Sequence, residues 1–128
     1  MRMPTSNKEF SEGFRKRIYR WILNLISSLE KLPKNDDVSY VIRRQLLRSA
    51  TSIGANYTEA IAGTSRKDFA NFASHSLKSS NESKFWIALL RDTNRGKAEE
   101  VELLFRELSE ISNILGSIVR TLRTKEPK

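Results

Sequence analysis

Apolar residues recur along this chain at intervals of three and four, the spacing of one face of an α-helix, in four successive segments. In the first, Phe10, Phe14, Ile18, Trp21, Leu25, Leu29 and Leu32 form one stripe, which predicts a helix over about 6–31. Pro33 stops it, and the polar run Lys34-Asn35-Asp36-Asp37 predicts a turn in which Asp37 caps the next helix. That helix, about 38–62, places Val38, Ile42, Leu46, Ser49, Ile53, Asn56 and Ala60 on one face. Its later half is rich in Ala, Ser and Gly, so a neighbour can approach its backbone closely. Gly63-Thr64-Ser65 then predicts a left-handed glycine cap followed by a serine N-cap. A third helix, about 66–93, turns Phe69, Phe72, Ala73, Ser76, Leu77, Trp86, Ile87 and Leu90 inward, and Asn94-Arg95-Gly96 breaks it. The fourth, about 97–124, carries the stripe Val101, Leu104, Leu108, Ile111, Leu115, Ile118 and Leu122. Its Glu99, Glu100 and Glu102 lie near the start and Arg120, Arg123 and Lys125 near the end, as the helix dipole favours.

Four long helices joined by short turns predict an all-α, antiparallel up-down-up-down four-helix bundle forming one domain over residues 1–128. That length suffices to bury a core without staples. Nothing reads as a strand, and the tail Lys125-Glu126-Pro127-Lys128 is expected to fray. A second apolar set, Tyr19, Ile22, Ile26, Phe85, Leu89, Leu103 and Ile114, lies off the main stripes. In an isolated bundle some of it would face solvent, which predicts an oligomer interface at Tyr19, Ile22, Ile26, Phe85 and Leu89; a wide core stripe is the alternative.

The most apolar window, Ile18 to Leu29, is interrupted by Arg20 and Asn24 and is too short to span a bilayer. A membrane-surface helix around Arg15 to Leu29 is disfavoured because the core needs its apolar stripe. The segment Met1-Arg2-Met3-Pro4-Thr5-Ser6 has no apolar run after it, unlike a secretory signal. The absence of cysteine excludes disulfides and thiolate metal sites. A cytoplasmic protein without membrane contact is expected.

Charge narrows the partners. The formal net charge is +8, and 13 Lys/Arg against 6 Asp/Glu fall in residues 1–67, so the positive surface belongs mainly to the first two helices and the following turn. Arg15, Lys16, Arg17 and Arg20 cluster on helix one, Arg43, Arg44 and Arg48 on helix two, and Arg66 and Lys67 at the turn. The planar arginine fork suits phosphate, and Tyr19 beside the first cluster could stack on an unpaired base. The nucleic-acid-binding candidates are therefore Arg15, Lys16, Arg17, Arg20, Arg43, Arg44, Arg66 and Lys67, with a solvated basic face as the competing reading. No RNA-recognition or helix-turn-helix signature accompanies them, so sequence-specific reading is not indicated.

Catalytic chemistry finds little support. A carboxylate-bridged metal site in a bundle needs Glu-x-x-His pairs, and the single histidine, His75, has Phe72 three positions earlier. Glu59 and Glu82 lack an accompanying nucleophile or second base. Ser74, Ser76, Ser79, Ser80 and Ser83 read as small packing residues. There is no phosphate loop, nucleophile elbow or zinc spacing, and no enzyme activity, cofactor or metal is expected.

The run Arg48-Ser49-Ala50 through Asn56 and Glu59, followed by Ser65-Arg66-Lys67-Asp68-Phe69, Phe72, Ser79 and Glu82, resembles the 23S ribosomal RNA intervening-sequence proteins. The resemblance extends from about Leu32 to about Leu90; Gly54 stands where proline is common, and Asp68 replaces a frequent glutamate. It implies a small helical bundle, usually a ring-like homopentamer, encoded in some bacteria within an insertion in the large ribosomal RNA gene, with no established catalytic chemistry. In length and in the ending Ile114-Leu115-Gly116-Ser117 the chain is more distantly similar to the accessory variability determinant of diversity-generating retroelements, a basic pentamer that works with a reverse transcriptase. Two functions follow as expectations: an RNA- or DNA-binding homo-oligomer, or a protein-interaction scaffold for a nucleic-acid enzyme.

The polar motif residues Arg48, Asn56, Glu59, Ser79 and Glu82 are expected to be structural. In a hairpin turning at Gly63 to Ser65, Arg48 comes level with Glu82 and Asn56 with about Ala73. An Arg48–Glu82 ion pair inside or at the edge of the bundle follows, with Ser79 sharing its hydrogen bonds and Asn56 and Glu59 satisfying donors nearer the end of helix two. Truncating Glu82 would cost roughly 3–5 kcal/mol if the pair is fully buried, and less if water reaches it.

Overall fold

The computed structural model describes residues 5–124, so the tail from Lys125 onward lies outside the described residues. Four helices, α1 (Thr5–Leu29), α2 (Asp37–Ala62), α3 (Arg66–Asp92) and α4 (Ala98–Thr124), contain nearly all of it, and there is no strand among the described residues. Helix α1 lies against α2 and α4, and α3 lies against the same two, which leaves α1 and α3 on opposite corners.

The inner stripes supply the core. Ile18, Leu25, Leu29, Ile42, Leu46, Ile53, Ile87, Leu108, Ile111 and Leu115 are wholly or almost wholly excluded from water, and Trp21 joins them from α1. Each large side chain so buried contributes about 1.5–3 kcal/mol. The stripes drift from strict three-and-four counting. Three helical turns take 11 residues, so Tyr57 rather than Asn56 lies in line with Leu46, and Tyr57 packs edge-on against Phe14 and Phe69. For the same reason Val119 is buried on α4 where Ile118 and Leu122 are half-buried, while Phe10 and Val38, at the ends of their stripes, are exposed.

Between α2 and α3 the core changes character, because serines replace aliphatic side chains. The Ser49 and Ser83 hydroxyls meet at 2.8 Å, Ser79 donates to the Ser52 hydroxyl at 3.0 Å, and Ser76 donates to the Ile53 carbonyl at 2.8 Å. As α2 advances, its partners on α3 recede. Small side chains allow the close approach, and each hydroxyl has a partner, which removes the penalty for burying it. Toward α4, Ser80 reaches the Ser112 hydroxyl at 3.2 Å and Ser112 donates to the Asn81 side chain at 3.0 Å.

Two predicted caps are corrected. The N-cap of α2 is Asp36, not Asp37: Asp36 is the residue with extended backbone, and its carboxylate accepts from the Ser39 amide at 3.3 Å and hydroxyl at 2.6 Å. Asp37 opens the first turn, where its charge still favours the dipole. Gly63 is extended (φ −66°, ψ 151°) rather than left-handed; positive φ occurs instead at Asn94 and Gly96 in the α3–α4 turn. Ser65 caps α3 by accepting from the Asp68 amide at 3.0 Å. Arg95, in that α3–α4 turn, donates at 2.5 and 3.1 Å to the two oxygens of Asp36, so the cap of α2 also ties the two turns together.

These contacts make stability acid-sensitive. Hydrogen bonds from Arg95 and Ser39 hold the Asp36 carboxyl far below its ordinary 3.8. Glu12, Glu82, Glu100 and Glu107 are likewise held below their ordinary 4.5 by their donors. A carboxyl with a depressed folded pKa contributes stability that is complete above its unfolded value and lost as pH falls toward the folded one. Acid unfolding followed by circular dichroism should show stability declining as pH drops through 4.5 and then 3.8. Asp36→Asn should flatten the lower part of that decline; an unchanged profile would remove Asp36 from the account.

Candidate nucleic-acid interface

The eight basic candidates separate into two groups. On α1, Arg15 donates to Glu12 at 3.3 and 3.1 Å, and Arg17 forks onto Glu107 at 2.6 and 2.7 Å with a further bond to Glu110 at 2.9 Å. Arg66, at the start of α3, donates to the Leu122 carbonyl at 3.1 Å, closing the last turn of α4. These three cations are already engaged within the chain. The hydrogen bond from Arg17 in turn holds the Glu107 carboxyl below its usual range.

The other five stand differently. Among the described residues, no carboxylate lies within 4 Å of Lys16, Arg20, Arg43, Arg44 or Lys67. Lys16, Arg20, Arg44 and Lys67 are exposed and Arg43 is half-buried. They do not converge on one pocket. Ile18 and Ile22 lie against Gly54, which sets Lys16 and Arg20 beside the middle of α2, whereas Arg43 and Arg44 sit about ten residues earlier, roughly 15 Å along the helix. Lys67 lies past the other end of α2, in the first turn of α3 at the corner opposite α1, so the five cations are dispersed over the surface. Tyr19, the expected stacking residue, is exposed beside Lys16 and Arg20. The chain also holds an exposed aromatic that the charge pattern did not single out: Tyr40, with the Arg44 guanidinium 5.6 Å above its ring. Its signal was the four-residue spacing of an aromatic and a cation on one helix.

The polar motif residues cross the outer seam of α2 and α3. Arg48 donates to Glu82, which also accepts from the Trp86 indole at 3.0 Å; the Trp86 bond first and then Arg48 lower the Glu82 pKa. The pair sits at the edge of the bundle, its side chains 57% and 37% exposed, and Ser79 bonds Ser52 instead of sharing it. Glu82→Ala is therefore expected to change stability by less than about 1 kcal/mol in urea titration, because water screens an exposed pair. A loss of several kcal/mol would contradict that exposure. Asn56 is satisfied within its own helix, donating to the Ser52 carbonyl and hydroxyl, both at 2.9 Å. Glu59 is exposed and, against expectation, has no donor within hydrogen-bonding distance among the described residues. It lines the α1–α2 groove while Glu82, on α3, reaches Arg48 across the α2–α3 seam, so the two carboxylates share no cleft. His75 is exposed near Phe72. Among the described residues, no cluster of three or more His, Asp or Glu able to hold a metal ion occurs and no helix is long and apolar enough to cross a membrane.

The off-stripe apolar set divides as well. Tyr19, Phe85 and Leu103 are 58–61% exposed. Ile26, Leu89 and Ile114 are half-buried against the core. Ile22 departs from the expected surface position: it is 8% exposed, because Gly54 opposite has no side chain and Ile22 settles into the vacant space.

The pattern of the 23S rRNA-intervening sequence proteins matches residues 11–117, reaching into all four helices. A crystal structure from Bacteroides thetaiotaomicron, described as a protein of unknown function from the S23 ribosomal protein family, superposes with a TM-score of 0.77 at 31% identity, covering 86% of this chain and 97% of the other. No curated protein matches the sequence. The helical order, the small-residue α2–α3 seam and the extent of both matches lead to one conclusion: the chain belongs to the family of 23S rRNA-intervening sequence proteins.

Proposed function

We propose that this protein is a non-catalytic, cytoplasmic RNA-binding scaffold in which up-down-up-down bundles assemble into a ring-like homo-oligomer, five copies by family resemblance. The observation that carries this reading is the set of five cations, Lys16, Arg20, Arg43, Arg44 and Lys67, that have no carboxylate within 4 Å among the described residues, in a chain whose net charge is +8. Dispersed phosphate contacts suit a partner bound by backbone and shape rather than by base sequence. Repetition around a ring multiplies weak contacts by raising the effective concentration of each further site. The family description names ribosomal RNA, which makes RNA the first ligand to test beside DNA.

Titrating labelled RNA and DNA at several salt concentrations tests this reading. Phosphate binding requires the logarithm of affinity to fall steeply and linearly with the logarithm of salt. Absence of binding to either at low salt would overturn it. A second reading, docking to a protein partner such as a reverse transcriptase, is favoured by the 61% exposure of Leu103 and predicts binding that survives salt.

A further inference from the structure

Two features on different faces of the bundle complement each other. On α3, Phe85 is 58% exposed and packs edge-on against Trp86, with ring centroids 4.9 Å apart, and the half-buried Leu89 follows one turn on. Together they form an apolar ridge. Along the α1–α2 seam runs an open groove of about 550 Å³ whose floor is Ile18, Ile22, Gly54 and Ala55, with Tyr19 and Glu59 on its rim. Gly54 and Ala55 keep the α2 wall low, so the groove admits a bulky side chain from outside. The ridge cannot fill the groove of its own chain, because α3 and α1 occupy opposite corners.

Charge matches along the same contact. Among the described residues Glu59 has no cation within 4 Å, whereas Arg15, the cation on that rim, is engaged by Glu12. Beside the ridge, Lys84 adjoins Phe85 in sequence and Lys78 lies two turns earlier, and among the described residues neither has a carboxylate within 4 Å. Seating the ridge in the groove brings lysine ammonium groups toward the unpaired Glu59 carboxylate.

We infer that the Phe85–Trp86–Leu89 ridge of one copy seats in the α1–α2 groove of the next copy, an inference that rests on the ring reading above. The contact joins two different surfaces, so a pair of copies keeps one free groove on one copy and one free ridge on the other. Such heterologous contacts propagate, and they close into a ring when the rotation per copy divides a full circle. Ridge-to-ridge pairing would stop at two. Of the residues expected at an oligomer interface, Tyr19 and Ile22 then belong to the receiving side and Phe85 and Leu89 to the inserting side.

A complementation experiment decides it. Phe85→Glu spoils the ridge and leaves the groove; Ala55→Trp fills the groove and leaves the ridge. Both positions are exposed, so the variants should fold, with far-ultraviolet circular dichroism as the check. By sedimentation, each variant alone should have the mass of one chain where the wild type has that of several. Their equimolar mixture, held above the concentration at which the wild type assembles, should give a one-to-one pair and nothing larger, because only one competent ridge and groove meet. Assembly of either variant like the wild type, or a mixture that stays at one chain, would overturn the contact. A wild-type chain that is itself monomeric would overturn the ring reading, and this contact with it.

Discussion

Trp21→Ala should destabilise the bundle by about 3–5 kcal/mol, which is a large part of the ~5–15 kcal/mol that holds a domain together. Trp21 is 2% exposed, and its indole donates at 3.0 Å to the Leu104 carbonyl, so it both fills the core and ties α1 to α4. The other polar ties across that seam, Arg17 to Glu107 and Glu110 and Ser28 and Lys31 to Glu100, are partly exposed contacts that water weakens. Alanine leaves a cavity the width of an indole between helices that have little else to hold them. Phenylalanine at the same position keeps much of the apolar area and loses the hydrogen bond, so Trp21→Phe should retain most of the stability. Urea unfolding of the two variants measures the difference, and a loss below about 1 kcal/mol for alanine would mean that α1 is not integral to the cooperative unit.

The other large effect is on nucleic-acid affinity. Changing Lys16, Arg20, Arg43 and Arg44 together to Glu reverses four charges that have no carboxylate within 4 Å among the described residues, so helicity should persist while RNA binding falls by orders of magnitude at low salt. Each lost phosphate contact should reduce the salt slope by about 0.7–0.9. A variant with an unaltered slope would assign the positive charge to solubility. Arg17 is unsuited to this test: Arg17→Glu would set a third carboxylate against Glu107 and Glu110 and disturb the α1–α4 seam.

The four helices were legible because an amphipathic stripe advances with the helical period, and α4 is the clearest case: Val101, Leu104, Leu108, Ile111 and Leu115 are all buried as their spacing requires. Counting back from the α2–α3 turn also placed Arg48 opposite Glu82. What counting could not supply was depth. Glu82 and Glu59 sit on the outer surface, and the serines read as small packing residues are joined by hydroxyl-to-hydroxyl bonds that spacing does not reveal. Partners across helices far apart in sequence were equally hidden. Nothing near Arg17 points to Glu107, 90 residues away, yet that pairing separates the engaged cations from the free ones. The candidate interface was therefore legible as charge and not as geometry. The choice of Asp36 over Asp37 as cap also depended on a distant residue, Arg95.

The hydroxyl seam between α2 and α3 has a consequence at a larger scale. It draws those two helices together, while the seams flanking α1 are held apart by Trp21, Ile18 and other large side chains, so the bundle is narrower along one flank than along the other. A body with unequal flanks behaves as a voussoir, the tapered stone of an arch. In the ring proposed above, joined ridge to groove, such a taper would add to the rotation from one copy to the next, so the width of a serine side chain would bear on the number of copies.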